Sequence, residues 1–148
     1  MPTDRLDADE PGIIGEIEED GFPVVFKLVD QLPPSAIRET FPWLTVVTWK
    51  YDGSSRNGMP PVSVNAQMLE LEHAINERVE ALGLCRHAYS RTGNGLKELA
   101  YYIRERDQFM DAFNAALANH SPYPIGITFY EDPEWSDFQT IRGRFTRI

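Results

Sequence analysis

Apolar residues in this chain follow two rhythms. Residues 22–29 (FPVVFKLV), 43–51 (WLTVVTWKY) and 125–130 (IGITFY) are short runs dense in β-branched and aromatic side chains, which pack well on a pleated sheet. Pro23 sets the first run at a sheet edge or marks late entry into pairing, because proline has no N–H for a ladder. Residues 65–82 instead place Met68, Leu71, Ile75, Val79 and Leu82 at steps of three and four. That is one helical stripe, and Gly83 follows it where a left-handed cap is expected. Residues 84–92 and 96–104 read as two strands about Gly93-Asn94-Gly95, residue types that tolerate the positive φ of a tight hairpin. A second helix is expected over 105–119, with Phe109, Ala112, Phe113, Ala116 and Leu117 on one face, until SPYP at 121–124 stops it.

Smaller signals complete the outline. Residues 12–20 suggest a short edge strand, and 35–40 (SAIRET) one helical turn capped by Ser35. Residues 52–63 are a loop punctuated by Gly53, Gly58, Pro60 and Pro61. Asp132-Pro133-Glu134 reads as the cap, first residue and first-turn acid of a short helix running to about Ile141. From Trp43 onward the order is strand, helix, strand, strand, helix, strand. This predicts an α+β fold with a ferredoxin-like βαββαβ core, both helices on one face of an antiparallel sheet. One or two extra N-terminal strands and the C-terminal helix would flank it.

Charge divides the chain. Of 148 residues, the first 20 hold eight acids and one base, while the other 128 hold 15 acids and 13 bases. The formal net charge of -9 thus belongs mainly to the acidic head. We expect a head over 1–20, disordered over 1–11, and a single domain over 21–148. The overall balance argues against generic binding to a nucleic-acid backbone. The near-neutral body and the basic tail (Arg142, Arg144, Arg147) weaken that argument for the domain alone. No apolar run reaches the roughly 18 residues of a membrane helix, the start lacks the pattern of a targeting signal, and one cysteine suits a reducing compartment. A cytoplasmic location is the expectation.

Three matching elements carry a family resemblance. They are Pro42-Trp43 before a strand ending Trp49-Lys50-Tyr51, then Thr92 to Gly95 before a strand with Tyr101 and Tyr102, and lastly Tyr123-Pro124-Ile125 leading to Glu131-Asp132-Pro133-Glu134-Trp135. In this order they resemble the domain-of-unknown-function 695 family over about residues 22–138. The resemblance implies a bacterial protein without an established activity, and so supplies no catalytic residue. In outline it is also similar to regulator of ribonuclease E activity B, a small acidic inhibitor with a ferredoxin-like core.

Few residues suggest chemistry. Cys85 and His87 share a strand face but lie about 7 Å apart along it, too far for a thiolate–imidazole bond. Cys85 reads as a buried apolar residue and His73 as a solvated helix residue. No histidine pair has metal-ligand spacing, and the acids at 131–137 lack the arrangement of a calcium loop, so no metal or cofactor is expected. Trp43, Trp49 and Tyr51 alternate on one strand face, and a patch of Trp49, Tyr51 and one of Tyr101 and Tyr102 (Tyr102 in the candidate set) on the helix-free face could stack RNA bases or be covered by a partner chain or the chain's own N-terminal segment. His87, Arg91 and Glu98 are polar residues on core strands that could line a site beside the 52–63 loop. Trp135, from the third matching element, completes the candidate binding set. The favoured reading is a non-enzymatic protein-binding or regulatory module, with self-association through the sheet or its edge as one form. The alternatives are a small-molecule enzyme using His87, Arg91 and Glu98, and a single-stranded RNA-binding sheet.

Overall fold

The computed structural model describes residues 12–145. The elements are β1 (Gly12–Glu19), β2 (Phe22–Val29), α1 (Ser35–Thr40), β3 (Trp43–Lys50), α2 (Val62–Arg78), β4 (Cys85–Gly93), β5 (Leu96–Ile103), α3 (Arg106–Ala116), β6 (Ile125–Glu131) and α4 (Ser136–Phe145). Six strands form one antiparallel sheet in the order β1-β2-β4-β5-β3-β6. This is a mixed α+β architecture, as the two rhythms predict. The acidic head divides, since Gly12–Glu19 is a sheet strand, while the disorder expected at 1–11 lies outside the described residues. Among the described residues, no helix is long and apolar enough to cross a membrane.

The sheet buries both faces. On one face Val47, Trp49, Leu99, Tyr101 and Ile103 pack against Met68, Leu71 and Ile75 of α2 and Phe109 and Phe113 of α3. On the other, Val24, Phe26, Leu28, Leu44, Ala100 and Tyr102 pack against Phe41, Trp135, Phe138 and Ile141. Helices α2 and α3 thus share one face, and α4 covers part of the second. Trp135 stacks on Tyr102 with ring centroids 4.0 Å apart and planes 7° apart, and its indole N–H donates to the Phe41 carbonyl at 3.0 Å.

Local chemistry moves several boundaries. Helix α2 starts at Val62, directly after Pro61, and its regular turns end at Arg78. The last expected turn tightens into a 3₁₀ segment (Glu80–Leu82) ended by Gly83 at φ 76°. Leu82 therefore leaves the apolar stripe and is 65% exposed. Ser35 is the first residue of α1 instead of its cap, and Pro34 precedes it without a side-chain bond. Helix α4 begins later than Asp132-Pro133-Glu134 implies. Asp132 accepts from the backbone N–H groups of Ser136 (2.8 Å) and Asp137 (3.0 Å), so it caps the helix across an intervening turn. Trp135 sits in that turn at a left-handed φ of 59°. Glu105 caps α3, accepting from the N–H groups of Asp107 and Gln108, which holds its carboxyl below the usual range.

A β-bulge has the largest consequence. The β4–β5 register shifts between His87 and Tyr89. His87 pairs with Tyr101 on the α2 face, whereas Tyr89 pairs with Ala100 on the opposite face. The extra residue reverses the alternation, so Tyr89 and Arg91 point away from the face that His87 occupies.

Candidate functional site

A groove of about 610 Å3 lies between α2 and the segment that follows α3, within the size range of ligand sites. One wall is the α2 stripe beside its core stripe: Gln67, Glu70, Ala74 and Glu77 recur at steps of three and four, with His73 and Arg78 on its borders. The floor is small, made by Ala74, Ala115 and Ala116. The far wall is residues 119–124, where Pro122 and Pro124 keep the chain extended beyond the helix.

Tyr123 fixes that far wall. Its hydroxyl lies 2.6 Å from His120 Nδ1, and its ring packs on Trp49 with centroids 5.5 Å apart. Burial, reinforced by the Glu70 charge, raises the Tyr123 hydroxyl above its ordinary pKa and keeps it protonated. Across the groove His73 Nε2 lies 3.4 Å from Glu77 on the same helix. Both imidazoles are thus engaged by neighbours. The groove offers acids (Glu70, Glu77), a guanidinium (Arg78) and amides (Gln67, Asn119) around an alanine floor.

The residues singled out from sequence divide between the two sheet faces. Trp49 is 4% exposed beneath the helices, and Tyr51 packs beside it with its hydroxyl donating to the Gly58 carbonyl at 2.6 Å. Tyr102 and Trp135 lie buried on the opposite face. The expected aromatic patch on a helix-free face is therefore replaced by two separate core contributions, because odd positions of β3 face α2 and α3 while Tyr102 faces Trp135 and Phe138. Trp49, Tyr51 and Tyr102 therefore do not form one exposed stacking surface.

His87 and Glu98 also fall on opposite sides of the sheet, which overturns their expected shared site. His87 packs on Tyr101 at 4.9 Å, with Nε2 4.0 Å from Glu72 Oε2. Nearby on the same face Lys97 is 7% exposed, and burial depresses its ammonium pKa against the raising charge of Glu72. The structure does bring Arg91 and Glu98 together as register partners on the second face. There Arg91 Nη2 donates to Glu19 Oε1 at 3.0 Å, and the Tyr89 hydroxyl donates to Asp137 Oδ2 at 2.6 Å. These bonds tie the end of β1 to β4, and α4 to the sheet. Burial pushes the Cys85 thiol well up, as suits a packed apolar residue. Among the described residues, no group of three or more His, Cys, Asp and Glu side chains is placed to hold a metal ion.

The groove itself was not legible as a motif, since its walls come from two separated segments. The one signal was Tyr-Pro-Ile at 123–125, quoted above for the resemblance.

An antiparallel α+β sheet bearing this groove defines the class of fold. The chain belongs to a family of unknown function, DUF695, whose model matches residues 17–141. No curated protein and no solved structure matches the chain.

Proposed function

We propose that this chain is a protein-binding module on a ferredoxin-like core, and that it takes a segment of a partner polypeptide in the groove between α2 and residues 119–124. The βαββαβ order from β3 to β6, with sheet order β4-β5-β3-β6 and α2 and α3 on one face, supports the ferredoxin-like reading. One observation carries the binding reading: a groove of about 610 Å3 with an alanine floor and walls charged in both signs. A short apolar side chain fits the floor, and flanking charged residues meet Glu70, Glu77 and Arg78.

The test fills the groove. Ala115 is exposed in its floor, so Ala115→Trp occupies the space without touching the core. Peptides selected from a random display library on the native chain should lose binding to the A115W chain. Equal binding to both chains overturns the reading.

A further inference from the structure

The sheet has two edges, and they are built differently. At one end β1 carries Glu16, Glu18 and Glu19. Charges on an edge strand discourage pairing with another chain, and a second β1 would bring three carboxylates from each copy to one seam. At the other end β6 reads Ile-Gly-Ile-Thr-Phe-Tyr-Glu, with no lysine, proline or bulge and one charge at its last residue. It pairs with β3 in unbroken register from Ile125 to Glu131, and among the described residues no strand pairs with its other side.

We propose that β6 pairs antiparallel with β6 of a second copy of this chain, about a two-fold axis at Thr128. This register sets Gly126 opposite Tyr130 of the other copy, twice by symmetry. Tyr130 is 51% exposed, and a side chain added at Gly126 would meet only open space. A cross-strand aromatic that covers a glycine is a recognised device for pinning register. On the helix-covered face Ile127 meets Phe129 of the other copy. Both residues are partly buried against the α2–α3 core, so the pairing extends that core across the seam. Glu131 falls beside Ile125 of the other copy, and the two Glu131 carboxylates stay at opposite ends of the seam. Two sheets then join edge to edge, by a route independent of the groove.

Cysteine crosslinking tests the register. Thr128 is exposed and in this pairing faces itself, at the roughly 4.5–5.5 Å Cα separation of opposed residues that a disulfide spans. The sole native cysteine, Cys85, is buried. Under mild oxidation the Thr128→Cys chain should form a disulfide dimer, while Gly126→Cys alone should not, because its opposite residue is Tyr130. In sedimentation analysis the native chain should be dimeric and Thr128→Lys monomeric with unchanged circular dichroism. A monomeric native chain, or equal crosslinking at 126 and 128, overturns the proposal.

Discussion

Trp49 and Tyr123 touch across the boundary between core and groove, with ring centroids 5.5 Å apart and planes inclined at 53°. Trp49 is buried on the third strand, while Tyr123 stands in the groove wall with its hydroxyl on His120. Aromatic pairs in this range favour such tilted arrangements, so the core sets the position of the wall. Trp49→Phe should destabilise the fold by about 1–3 kcal/mol, the usual span for a core truncation. It should also weaken peptide binding more than Tyr123→Phe, which keeps the ring and loses only the hydroxyl contact. Denaturant titration and peptide affinity on the same variants check this. Unchanged affinity in a folded Trp49→Phe chain would contradict the coupling.

Trp135 anchors the turn between the last strand and the last helix. Trp135→Ala removes a stacked ring and an indole N–H, and should cost about 3–5 kcal/mol. Trp135→Phe keeps an aromatic ring but leaves the buried Phe41 carbonyl without its donor, at a cost of about 1–3 kcal/mol. Chemical denaturation orders the two variants. Equal losses would mean that the stacked ring contributes nothing beyond the hydrogen bond.

Glycine at position 15 makes room for the end of the last helix. A Cβ there would run into the Phe145 ring, which itself packs on Phe26 at 5.4 Å. Gly15→Ala should cost about 1–3 kcal/mol by overpacking. The same substitution in a Phe145→Ala background should cost less, and a double-mutant cycle measures the difference. Additive effects would show that the ring and the glycine are not coupled.

Glu98 gives the chain a pH signature. Burial raises its carboxyl pKa; Arg91 opposes the shift, and Asp137 and Glu19 reinforce it. The folded value lies above the unfolded one, so the folded chain holds this proton more tightly. The contribution is full below the unfolded value and is lost as pH rises through the folded value. At neutral pH ionised Glu98 therefore opposes folding. Glu98→Gln should raise the melting temperature at neutral pH, and the gain should shrink as the pH falls through the raised folded value and be gone below about 4, the ordinary carboxyl range. Thermal melts of both chains across that range decide it. A variant that melts lower at neutral pH would contradict this assignment.

The fold was legible because its strands declare themselves by composition. Residues 22–29, dense in Val and Phe, form β2 over those same residues, and residues 43–51 form β3 with one residue fewer. The hairpin at Gly93-Asn94-Gly95 was legible for the same local reason, since all three take positive φ. What failed was the question of which face each side chain occupies. Alternation along β3 puts Trp43 and Trp49 on one side without saying which side the helices take. The bulge after His87 is one additional residue that no pattern marks, yet it separates His87 from Arg91. The groove depends on how the end of α3 settles against α2, a long-range packing that leaves no spacing to read.

The most direct test of the account follows the backbone amides by NMR while a library-selected peptide is titrated into the native chain. The account predicts that perturbed amides cluster at residues 67–78 and 115–124, and that the Ala115→Trp chain abolishes the response. Perturbations confined to the face beneath α4 or to the β6 edge, with the groove silent, would contradict it.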